Sequence, residues 1–68
     1  MLKISLKSAR VNADLSQKEV ARELGISNKT LCSWEKGLSF PDAKQISSLC
    51  ELYHVSYDNI KFLPDNSL

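Results

Sequence analysis

Cysteine is scarce: Cys32 and Cys50 are the only two in 68 residues, and they form no CxxC pair. The disulfide framework of a small secreted domain is therefore not indicated, and a reduced, cytoplasmic setting is expected. The single histidine, His54, follows Cys50 by four positions. Two such ligands are too few to close a zinc site, so neither a metal nor another cofactor is expected. Long apolar runs are missing as well. Nothing approaches the roughly 18 residues that span a bilayer, and Met1 to Lys7 lacks the apolar centre of a signal peptide. No membrane association is expected. There is no Gly-rich phosphate loop, and 68 residues with one histidine offer no set of catalytic groups converging in a pocket, so an enzyme is not expected. Excess charge is absent too: nine basic residues face eight acidic ones, a formal net charge of +1. Any case for an anionic partner must rest on where the charges lie.

What is present is a series of helix starts. A chain this short makes one domain with little stability to spare, expected over residues 1–68 with a core at about 5–61 and a tail at 62–68. Ser5 precedes a stretch in which Leu6, Ala9, Arg10 and Ala13 share one helical face. Ser16 and Glu19 read as a capping box opening a second helix through Leu24, with Val20, Ala21 and Leu24 inward. Gly25 then offers a cheap turn through positive φ. Ser27 is the N-cap of a third helix, Asn28 to Lys36, which Gly37 ends. Pro41-Asp42 opens a fourth, with Gln45 completing a second box and Ile46, Leu49, Cys50 and Tyr53 as its apolar stripe. Ser56 caps a short fifth helix over 57–60. No strand is expected, because the brief alternation at Val55 and Tyr57 is too short for a sheet. The fold class is all-α, a compact five-helix bundle.

The informative spacing lies between helices two and three. Only Gly25, Ile26 and Ser27 separate Leu24 from Asn28, and so short a link forces two helices to cross steeply. A tight corner alone is common. What adds weight is the face left over: Leu31, Trp34 and Glu35 point one way, while Asn28, Lys29, Cys32, Ser33 and Lys36 point the other. That outer set contains no acid and can meet phosphate without repulsion. Asn suits an adenine edge and Lys suits guanine O6 and N7.

The run from Ser16 through Gly25 to Ser27, followed by Thr30-Leu31, Trp34-Glu35, Gly37 and Pro41, resembles the Cro/repressor-type (XRE-like) helix-turn-helix family of phage and bacterial regulators. The resemblance extends from about Leu6 to Ile60. It implies the λ-repressor-like fold and sequence-specific binding of double-stranded DNA by a transcriptional regulator, a repressor by preference. Helix three becomes the recognition helix, with Asn28, Lys29, Cys32 and Ser33 nearest the bases. Phosphate contacts fall to Gln17, Ser27, Thr30, Lys36 and Lys44. Arg10 and Glu35 become a pair tying helix one to helix three. Two residues depart from the family pattern. Asp14 stands where glycine is usual, and Cys32 is a poor donor better suited to touching a thymine methyl.

One such module buries too little surface for a tight site, so a homodimer on a near-palindromic operator is expected, its half-sites about 34 Å apart. Its interface candidates are Leu52, Tyr57, Phe62 and Leu63, with Phe40 secondary; Phe62 and Leu63 folding back on the core is the competing expectation. No small-molecule effector is expected. The rival from another class is a protein-interaction module, such as an antitoxin, that keeps the fold and grips a partner through Leu52, Phe62 and Leu63. In that reading the outer face of helix three is merely solvated.

Overall fold

The computed structural model describes residues 3–62. Four α-helices carry the chain: α1 (Leu6–Asn12), α2 (Gln17–Leu24), α3 (Asn28–Lys36) and α4 (Ala43–Tyr53). Each begins at a side-chain cap that takes up an amide the helix cannot satisfy itself. Ser5 accepts from the Ser8 amide and Ser27 from the Thr30 amide. Ser16 with Glu19 and Asp42 with Gln45 form reciprocal capping boxes. The pKa of the exposed Glu19 carboxyl is lowered, first by the hydrogen bond from the Ser16 backbone.

All four helices also stop in one way. A residue with positive φ follows each last turn: Asp14 (62°), Gly25 (68°), Gly37 (77°) and His54 (57°). Beyond it, the amides of Leu15, Ile26, Leu38 and Val55 reach back to the carbonyls of Arg10, Ala21, Ser33 and Cys50. This is the Schellman closure, in which an apolar residue after the turn folds back over the helix end. Leu15, Ile26 and Val55 do pack against the core. Leu38 does not and stays 75% exposed.

The predicted stripes supply most of the core, but Ile60 joins it from outside them and Ile46, expected inward, lies outside the core cluster. Leu6, Ala9, Val20, Leu31, Trp34, Leu49, Tyr53 and Ile60 are buried together, with Ala13, Leu24 and Cys50 partly buried against them. Burial pushes the Cys50 thiol pKa up.

Two expectations are corrected. The five-helix count falls to four, because the Ser56 signal starts only a 3-10 turn at Tyr57–Asn59. Ile60 then has φ −108° and ψ 133°, an extended conformation that no helix continues. The expectation of no strand fails for the same reason. Ile60–Lys61 (β2) pairs in parallel with Ile4–Ser5 (β1), in the register Ile4 to Ile60 and Ser5 to Lys61. Parallel strands need a long crossover; here it is the whole helical body, which the pairing closes end to end.

Candidate nucleic-acid interface

The corner between α2 and α3 is set by backbone geometry. Gly25 takes φ 68° and ψ 33°, where an L side chain is disfavoured. Ile26 is half-buried between the helices, and Ser27 restarts the chain as the cap of α3. α2 and α3 make the most extensive contact between any two elements. That packing buries Leu31 and Trp34 and turns the opposite side of α3 outward. Asn28, Lys29 and Lys36 are exposed, and Cys32 and Ser33 are partly exposed beside them. Cys32 is a free thiol. Among the described residues, Lys29 and Lys36 enter no ion pair, so their charge is available to a partner.

The one acid of α3 is turned inward. Glu35 has a side chain only 5% exposed and meets Arg10, whose Nε donates to Oε2 at 2.7 Å. Arg10 also donates from Nη2 to Oε1 at 3.4 Å and from Nη1 to the Leu15 carbonyl at 2.9 Å. The expected link between the first and third helices is thus present, and it extends to the turn after α1. One further contact escaped the sequence reading. Gln17 Nε2 donates to Glu35 Oε1 at 2.9 Å, across 18 positions of sequence. No local pattern could have signalled it, since it depends on how α2 lies on α3. Nearby, Tyr53 is buried with its hydroxyl unpartnered among the described residues. Burial, then the Glu35 charge, drive its phenol pKa upward, with Arg10 opposing.

The remaining phosphate candidates are placed differently. Ser27 and Thr30 hydroxyls lie 3.0 Å apart and serve the start of α3; Ser27 is exposed and Thr30 half-buried. Gln17 is the first residue of α2, where helix geometry leaves the leading amides without intrahelical acceptors. Lys44 is exposed on the first turn of α4 and enters no ion pair among the described residues.

The interface candidates divide. Tyr57 is 58% and Phe40 56% exposed. With Pro41, Ile46 and Phe62 they line an apolar groove of about 400 Å³. The rings of Tyr57 and Phe62 are tilted at 31° with centroids 5.6 Å apart. Phe62 also packs against the core, as does Leu52. Leu52 borders a separate cleft with Glu23, Leu24, Ser48, Glu51 and His54. Leu63 lies outside the described residues. Leu38 and Val11 are exposed as well, and no pattern in the sequence marks them as interface residues. Among the described residues no group of three His, Cys, Asp or Glu side chains could hold a metal, and no helix is long and apolar enough to cross a membrane.

Comparison with known proteins bears on this arrangement. The chain is 38% identical over 60 residues to the antitoxin PezA of Streptococcus pneumoniae, covering 88% of this chain and 38% of that protein. It is 42% identical over 53 residues to the transcriptional regulator ImmR of Bacillus subtilis, covering 78% of this chain and 42% of the relative. It is 33% identical over 55 residues to RstR, a cryptic-phage CTXphi transcriptional repressor of Vibrio cholerae, covering 81% and 50%. The chain therefore spans half or less of the length of these relatives. No solved structure gives a significant match. The helix-turn-helix family profile matches residues 6–60, which takes in all four helices and the corner between α2 and α3. The chain belongs to the helix-turn-helix family, in its XRE-like branch.

Proposed function

We propose that this chain is a sequence-specific double-stranded DNA-binding regulator, a repressor acting as a homodimer on a near-palindromic operator. The observation that carries this reading is the outer face of α3, exposed, polar and basic, with the only acid of the helix turned inward onto Arg10. Laid in the major groove, that face offers Asn28 and Lys29 for base edges, Ser33 as a small donor and acceptor, and Cys32 for a thymine methyl. Gln17, Ser27, Thr30, Lys36 and Lys44 would contact the backbone and fix register, carrying no sequence information themselves. The relatives named as a transcriptional regulator and a repressor support the same reading.

In the dimer a second copy would cover the apolar groove of Phe40, Pro41, Ile46, Tyr57 and Phe62. Pairing there would cover Phe40 and Tyr57, both more than half exposed, and would match the two-fold symmetry of a palindromic site. The relative named as an antitoxin favours one further reading: the same groove grips a different protein, and α3 is idle.

Selection from a random-sequence DNA library separates these readings. The regulator enriches a palindrome with half-sites about one helical turn apart; enrichment of nothing sinks the DNA assignment. Sedimentation of Tyr57→Asp and Phe40→Asp variants tests the groove, since both should shift the chain toward monomer.

A further inference from the structure

We infer that Glu35, although it faces away from DNA, positions Gln17 for its phosphate; the inference rests on the DNA-binding reading above. A free glutamine carboxamide rotates about its last bond and presents oxygen or nitrogen to a partner, and only the nitrogen side suits a phosphate. In this chain the choice is made internally. Glu35 Oε1 accepts one Nε2 proton at 2.9 Å, and an ionised carboxylate is an acceptor only, so it cannot hold the amide the other way round. The amide is planar, so with one proton committed inward the second is fixed in direction and remains for an outside acceptor. Gln17 is half-exposed at the start of α2, so its side chain is not sealed off from an outside acceptor.

A carboxylate behind a phosphate-binding residue would ordinarily repel the ligand. Arg10 removes that objection by donating to both Glu35 oxygens, at 2.7 and 3.4 Å. Arg10 is itself held by the Leu15 carbonyl at 2.9 Å. The chain Leu15–Arg10–Glu35–Gln17 therefore begins at the turn after α1, crosses α3 and ends at the first residue of α2. Gln17 is half-exposed, whereas the Arg10 and Glu35 side chains between the two ends are 11% and 5% exposed.

The test is a double-mutant cycle on the intact chain, using the DNA sequence recovered by selection. Affinity is measured for wild type, Gln17→Ala, Glu35→Gln and the double variant at one salt concentration, on samples shown folded by circular dichroism. Glu35→Gln keeps the side-chain volume but puts a donor where one acceptor was. It should weaken binding roughly threefold to tenfold in the wild-type background, the cost of ordering a glutamine that is no longer held. It should cost almost nothing once Gln17 is alanine. The dependence of affinity on salt should not change, because no cation touching phosphate is lost. Additive losses, or a salt slope that falls in step with affinity, would overturn the inference. A second variant avoids the ion pair altogether. Gln17→Asn retains an amide and leaves Arg10 and Glu35 intact, but is one methylene too short to bridge Glu35 and phosphate. It should bind as weakly as Gln17→Ala, and wild-type affinity for it would refute the positioning role. Failure of the wild-type chain to bind any DNA would instead remove the DNA reading, and this inference with it.

Discussion

Replacing Glu35 by alanine should come close to unfolding this domain. The substitution strips Arg10 of the partner on Nε and Nη2 and leaves only the Leu15 carbonyl on Nη1. Arg10 is 9% exposed, so its charge cannot turn outward to water without breaking the helix packing above it. Removing one member of a buried ion pair typically costs about 3–5 kcal/mol, because an uncompensated charge stays behind. A chain of 68 residues has a total stability of roughly 3–10 kcal/mol at ordinary values per residue. The loss is therefore comparable to the whole. At roughly 4–8 °C per kcal/mol for a domain of this size, the midpoint should fall by at least about 12 °C. Urea unfolding and thermal melts followed by circular dichroism measure both quantities. A drop of less than about 4 °C, or under about 1 kcal/mol, would refute the reasoning. It would mean that Arg10 finds water in solution and that the pair is not effectively buried.

Other substitutions test other parts of the account. Lys29→Ala should weaken operator binding by about 1–3 kcal/mol and relax preference at one base pair, read by repeating the selection on the variant. Gly25→Ala should cost about 1–2 kcal/mol in urea melts: a Cβ there meets nothing within 4 Å, so only its φ of +68° is penalised. Tyr53→Phe removes a buried hydroxyl with no partner among the described residues and should leave stability unchanged or raise it by about 1 kcal/mol. A lower melting temperature would show the hydroxyl to be satisfied. The Glu19 carboxyl should titrate below the ordinary glutamate range by NMR, because the charged form is favoured by the Ser16 backbone amide. A lowered folded-state pKa contributes stability that is complete above the unfolded value and disappears as pH falls through the folded one. The α2 start should therefore loosen only in that acidic window.

The legible parts of this fold are those written in local chemistry. Ser16 with Glu19 and Asp42 with Gln45 announce two helix starts, because a capping box is complete within four residues. Gly25 and Gly37 announce two ends, because positive φ selects for glycine. His54 also suits a helix end as a cation, but its positive φ is not legible from a histidine, although the apolar Val55 after it is the other half of the same signal. The strand pair was illegible for a different reason: two residues cannot display a period, and Ile4 meets Ile60 only after everything between has folded. The same pairing explains the missing fifth helix, since an Ile60 held extended cannot extend the turn that Ser56 begins. At the candidate site, the outer face of α3 follows from the helical wheel. The contact between Gln17 and Glu35 does not, because nothing in either segment specifies how deeply one helix rests on the other.

Stability and recognition meet in Glu35, and the two can be pulled apart. An acid anywhere on the outer face of α3 would oppose phosphate; placed inward, it leaves Lys29 and Lys36 as the only charges that helix presents. Replacing both members of the pair, Arg10→Met with Glu35→Leu, substitutes apolar packing for two buried charges. Such exchanges are often neutral or stabilising, by as much as about 1–4 kcal/mol. The double variant should therefore recover the melting temperature lost in Glu35→Ala. Its outer face keeps every cation, so a role confined to structure predicts full operator affinity as well. A role in aiming Gln17 predicts the opposite: a domain as stable as wild type that binds only as well as Gln17→Ala. Stability regained without affinity would place Glu35 in recognition, and affinity regained along with stability would return it to the scaffold.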